Sequence, residues 1–161
     1  MDTFSESQKF NQPWLIGLLI LVILASAVPA YIAYEDFKNE WKLQLSLAFA
    51  IVLPLFLSVL FLFFLKLKTK IDLGGIHYGF YPFRRNLKTI PWREIKSCEV
   101  IQYSPLMDYG GWGYRFGRKG KALNVRGNKG IFIVFKNDKK LLIGTQKETE
   151  AKRIIKLYFK E

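Results

Sequence analysis

Reactive and cross-linking side chains are scarce in this chain. It has one cysteine, Cys98, which has no partner within the chain and excludes a disulfide scaffold. It has one histidine, His77, and no H-x-x-x-H, C-x-x-C or cluster of carboxylates, so no metal site is expected. A Ser–His–acid arrangement would have to join His77 to Ser97 or Ser104, and the local sequence does not support it. The glycine-rich stretch also lacks what a nucleotide loop needs. Gly111, Gly113 and Gly117 miss the dinucleotide spacing, and Gly117-Arg118-Lys119-Gly120-Lys121 is followed by Ala122 where a phosphate loop needs Ser or Thr. No enzyme and no cofactor is expected on these grounds.

Charge is absent from two long runs. Trp14 to Tyr34 and Leu43 to Leu65 hold 21 and 23 residues without a charge. At 1.5 Å rise per residue the first would make roughly 31 Å of helix, the thickness of a bilayer core. The expectation is a two-helix transmembrane hairpin over 14–65, joined by Glu35–Lys42, with a short cytoplasmic segment 1–13 before it. Neither run contains an ionisable residue, so the expected role is an anchor rather than a transporter or channel. Pro29 and Pro54 are expected to kink the helices. Gly17, Ala25, Ala27 and Ala30 would allow close helix packing in a homo- or hetero-oligomer. A competing reading takes Leu15–Leu24 with Ala25-Ser26-Ala27 as a signal peptide, but the n-region is poor in lysine and the apolar run continues past Ala27. Lys66, Lys68 and Lys70 follow the second run, so the positive-inside rule predicts an inner-membrane, multi-pass protein with both termini cytoplasmic.

What the chain does have is an uneven balance of charge. Lys and Arg number 25 against 13 Asp and Glu, a net charge of +12. The first 65 residues carry three bases against five acids, net −2, and the remaining 96 carry 22 against eight, net +14. Residues 66–161 therefore form one small basic domain. Strands are expected over Leu67–Asp72, Ile76–Pro82, around Leu87–Pro91, Ile95–Tyr103, Ile131–Phe135 and Lys140–Gly144, with Asn137-Asp138 turning the last pair. Pro91–Glu94 is expected to make a bend or a single helical turn, and Ser104–Gly130 a structured loop. Thr145 with Glu148 has the spacing of a capping box, and Ala151, Ile154, Ile155 and Tyr158 form one apolar stripe of a closing helix.

The strings YPFRRNLKTIPWREI, DYGGWGYRFGRKGKALNVRGNKGIFIVF and KKLLIGTQKETEA, placed after two apolar runs, resemble the bacterial PH-like (pleckstrin-homology) domains of small membrane-anchored proteins. The resemblance implies a small antiparallel PH-like β-barrel with a C-terminal amphipathic helix. It implies no single function, because PH-like folds bind headgroups, peptides or proteins.

The functional candidates are the bases. Arg115, Arg118, Lys119, Lys121, Arg126 and Lys129 fall in one acid-free stretch, and Arg84, Arg85 and Lys88 in another. Phe83, Trp112, Tyr114 and Phe116 are interleaved with them as interfacial aromatics. The expected function is non-enzymatic contact with anionic phospholipid headgroups at the inner leaflet. Two alternatives stay open: solvated loops that bind nothing, and a protein–protein assembly module. Nucleic acid is the weaker partner.

Overall fold

A computed structural model describes residues 2–10, 13, 16–18, 20–25, 53–57 and 59–159. It divides into two compact units, Met1–Lys9 with Leu65–Glu161, and Phe10–Phe64.

The second unit corrects the two-span expectation. Among the described residues no helix is long and apolar enough to cross a membrane. This overturns the transmembrane hairpin, and with it the inner-membrane, multi-pass placement with both termini cytoplasmic. Ala27, Pro29, Ala30 and the Glu35–Lys42 loop lie outside the described residues.

The β unit begins earlier in the chain than its composition suggests. β1 (Phe4–Lys9) pairs antiparallel with β2 (Lys66–Asp72), Phe4 opposite Ile71 and Lys9 opposite Lys66. The chain thus leaves the β unit after Lys9 and re-enters it at the neighbouring strand end, so residues 10–64 are an insertion into a β unit. β2 continues into β3 (Gly75–Tyr81) and β4 (Lys88–Ile90), completing a four-stranded antiparallel sheet. A single 3-10 turn, Trp92–Glu94, leads to β5 (Ile95–Gln102). Four more strands follow: β6 (Gly113–Gly117), β7 (Gly120–Asn124), β8 (Lys129–Phe135) and β9 (Lys140–Gly144). They form a second sheet in the order β5-β8-β9-β7-β6.

Two features correct the antiparallel barrel. The strands form two separate sheets, and β7 runs parallel to β9. The reason is the connection: β7 is followed by β8, which pairs with β5 and β9, so β9 is inserted between β8 and β7 rather than added at an edge. As Asn137-Asp138 predicts, β8 and β9 form an antiparallel hairpin, with Asp138 at φ 57° taking the left-handed turn position.

The C-terminal helix, Glu148–Tyr158, buries Ala151, Ile154 and Ile155 and packs against β1 and β2 of one sheet and β5 and β8 of the other. Its start differs from the expected capping box. No side chain caps it. Thr145 instead donates its hydroxyl to Glu6 Oε2 at 2.6 Å, while Glu6 Oε1 accepts the Gln146 N–H at 2.8 Å. Glu148, freed from capping, pairs with Lys129 and Lys152. β1 is therefore held through buried polar groups. Its inward face is Phe4, Glu6 and Gln8, and Gln8 Nε2 donates to the Gly144 carbonyl at 2.6 Å.

A second, smaller core lies on the other face of the five-stranded sheet. Leu142 points away from Leu141 and Ile143, as strand alternation requires, and packs with Ala122, Tyr103 and Tyr109. Tyr109 arrives on a short helix, Pro105–Tyr109, inside the stretch where the sequence predicts a structured loop. Ser104 caps it, Pro105 starts it and Gly110 ends it at φ 68°, the usual order of helix signals.

Of the reactive singletons, Cys98 is largely buried, and burial pushes its thiol up to about 12, which keeps it protonated at neutral pH. His77 bridges strands: Nδ1 lies 2.8 Å from Thr89 Oγ1 and Nε2 lies 3.0 Å from Asp72 Oδ1. The His77 bond, then the Lys70 bond, hold the Asp72 carboxyl at about 2 against an ordinary 3.8. A carboxyl depressed in the folded state stabilises fully above its unfolded value. Acid should therefore weaken the fold progressively from about pH 4 down through about pH 2. The substitution Asp72→Asn should flatten that limb in urea melts taken across the range.

Candidate functional site

The nine candidate bases do not form one patch. Arg118 and Lys119 tip the β6–β7 hairpin, where Gly117 pairs with Gly120. Arg126 lies beyond the far end of β7, ~17 Å along the strand at 3.3 Å per residue. There Gln146 Nε2 donates to the Arg126 carbonyl at 2.8 Å, and Lys129 is ion-paired with Glu148 at 3.2 Å. Arg126 and Lys129 thus belong to the β8 end of the molecule, next to the start of the C-terminal helix.

Folding also supplies acids that the local sequence lacks. The short helix packs against Gly117, where a side chain would overlap the Asp108 carbonyl, and so places the Asp108 carboxylate 3.0 Å from Lys119 Nζ. The Ser104 N–H, and then Lys119, hold the Asp108 carboxyl below its usual range. Six candidates, Arg84, Arg85, Lys88, Arg115, Arg118 and Lys121, pair with no carboxylate among the described residues.

These six come from two segments, the β3–β4 connection with the start of β4 and the β6–β7 hairpin. The β3–β4 loop folds back on β3, with the Arg84 N–H donating to the Phe80 carbonyl at 2.8 Å. Arg84 packs on Gly79, where a Cβ would stand 3.5 Å from its own. Lys88 opens β4 directly opposite Tyr78. Burial raises the Tyr78 phenol's pKa, the Tyr114 phenol raises it further, and the Arg84 guanidinium opposes both. Arg84 and Tyr114, from different sheets, thus both act on Tyr78. The sequence reading missed Tyr78 because strand periodicity alone assigns it to the core. It also missed Lys68, whose ammonium sits 4.9 Å from the Tyr81 ring centre beside the same loop.

The aromatics divide similarly. Tyr114 and Phe116 are 55% and 67% exposed and meet edge-on, ring centres 5.3 Å apart. Lys121 Nζ lies 5.3 Å from the Phe116 ring centre. Phe83 is 71% exposed beside Arg84. Trp112 is half-buried, and its indole N–H donates to the Gly127 carbonyl at 3.2 Å. Its own carbonyl accepts from Arg115 Nε at 3.0 Å. Trp112 therefore braces the hairpin, while Phe83, Tyr114 and Phe116 face outward.

No group of His, Cys, Asp and Glu among the described residues could hold a metal ion. No family model and no curated protein matches the chain. The likeness to bacterial PH-like domains thus gains no support from other sequences, and function has to be argued from this surface.

Proposed function

We propose that the β unit is a non-enzymatic binding module whose surface around Tyr78 contacts anionic phospholipid headgroups. The observation that supports it is that Arg84 of the β3–β4 loop and Tyr114 of the β6–β7 hairpin both act on Tyr78, in two segments that carry six bases without carboxylate partners among the described residues and three outward aromatics. Each base held near an anionic surface contributes on the order of 1 kcal/mol, and the contribution falls with salt. Phe83, Tyr114 and Phe116 suit the headgroup layer, where an apolar ring beside a wet boundary is stable. The reading needs no span and concerns the β unit by itself. Lys119 and Lys129 are secondary in it, because Asp108 and Glu148 neutralise them.

The test is co-sedimentation of the full chain with vesicles of phosphatidylcholine alone or mixed with phosphatidylglycerol. Binding should require the anionic lipid and weaken with salt. Arg84→Glu with Arg85→Glu should weaken it about thirty-fold, from ~1 kcal/mol lost per base. Lys129→Glu should change it much less. Equal binding to neutral vesicles, or equal losses for all these substitutions, would overturn the reading. The alternative of a protein-binding module has its own observation, the open edge of β6.

A further inference from the structure

We propose that β6 is a docking edge for an extended acidic segment of another protein, which adds as a sixth strand to the five-stranded sheet. Among the described residues β6 pairs with β7 alone and ends the sheet. In an antiparallel ladder alternate residues turn their N–H and C=O away from the partner strand. Tyr114, Arg115 and Phe116 make no other backbone hydrogen bond among the described residues. All three side chains are exposed, and the short helix covers the strand only at its Gly117 end. Proteins usually blunt such an edge by shortening, bending or covering it. Of the other edges, β4 has only three residues, and the C-terminal helix packs against both β1 and β5.

The side chains set what can add. Tyr114 and Phe116 lie on one face as an edge-on pair, and Arg115 lies on the other. An added strand with apolar residues on the first face and acids on the second would match both in one register. Gly113 leaves room for a close backbone at its end, whereas Gly117 is already packed under Asp108 and Tyr109 of the short helix. A second copy of this chain fits poorly. Two-fold pairing of β6 with itself, centred on Arg115, would set Arg115 against Arg115, and like charges directly opposite destabilise a sheet. Arg118 and Lys121 at the same hairpin, without carboxylate partners, add to the preference for an acidic strand.

Backbone hydrogen bonds, rather than charge alone, carry this interaction, and that separates it from headgroup contact. The test uses the full chain, labelled with 15N, and an eight-residue peptide of alternating valine and glutamate. Its twin carries N-methyl groups on every second residue, which keeps the charge and side chains but removes one edge of donors. The alternating peptide should bind at least tenfold more tightly than the twin and slow exchange of the outward β6 amides at least tenfold. The substitution Arg115→Glu, at an exposed position, should weaken it at least tenfold and reverse the preference toward a valine–lysine peptide. Equal binding of the twin would reduce the interaction to charge and overturn strand addition. So would β6 amides that respond only to phosphatidylglycerol vesicles, or that are protected in a dimer of the chain without peptide.

Discussion

A chain cut to residues 66–161 will fail to hold the native β unit, although it contains eight of the nine strands. β1 supplies Phe4, which is fully buried, and covers Leu67 and Ile71, which are fully buried too. Truncating a buried Phe to Ala alone costs ~3–5 kcal/mol, against ~5–15 kcal/mol for the whole stability of a domain. Losing β1 also removes the acceptor of the Thr145 hydroxyl and of the Gln146 N–H, and each orphaned buried donor costs ~1–3 kcal/mol. The exposed β2 edge would then favour aggregation. The remedy follows from the register. Lys9 and Lys66 are direct partners, so a four-residue turn containing Asn-Gly in place of residues 10–65 should close a hairpin and restore folding. Dispersed amide spectra and a cooperative urea transition for the closed chain, with neither for 66–161, is the expected pair of results. A cooperative 66–161 fragment would show that β1 is dispensable.

The second large effect is expected at Gly117. A Cβ there would overlap the Asp108 carbonyl and stand 2.9 Å from the Tyr109 Cα. Backbone cannot yield as a flexible side chain does, so Gly117→Ala must lift the short helix off β6. Tyr109 would leave its edge-on contact with Tyr103, now at 5.8 Å between ring centres, and Lys119 would lose Asp108. A loss of ~3 kcal/mol or more is expected, at the upper end for an overpacked site. Gly110 is the control. It sits at φ 68° but has nothing within 4 Å of a Cβ, so Gly110→Ala should show only the conformational penalty of ~1–2 kcal/mol. Urea denaturation of both variants, with near-ultraviolet dichroism to follow Tyr109, separates clash from strain. Similar losses for the two would mean that Gly117 has no packing role.

The first prediction rests on contacts far apart in the chain and the second on a turn that brings Gly117 back onto Asp108 and Tyr109; neither contact is visible in the sequence. The β8–β9 hairpin was legible because its determinants are adjacent: two apolar runs and an Asn-Asp turn. The closing helix was legible from the stripe of Ala151, Ile154 and Ile155. β1 was not, since FSESQK turns Glu6 and Gln8 inward against the hydrophobic rule, and only Thr145, Gln146 and Gly144 make that burial tolerable. The capping box misled for the same reason: Thr145 has a better acceptor 139 residues away. At the site, Arg84 and Phe83 were legible as an exposed basic and aromatic loop. That Arg84 and Tyr114 both act on Tyr78 was not, and neither was the neutralisation of Lys119 and Lys129.

By itself, then, the sequence determined the scarcity of reactive groups, the basic surplus after Leu65, and the local elements whose signals lie within a turn or a strand pair. It did not determine membrane crossing: the absence of charge permits a span, but a span also requires an unbroken helix of sufficient length, and the described residues contain none. Tertiary structure alone decided that the first nine residues belong to the basic unit, that β7 runs parallel to β9, and which bases keep their charge unanswered. The physical reason is common to all three. Strand pairing and ion pairing act through space between residues many positions apart, and a chain read in order shows each partner without showing the other.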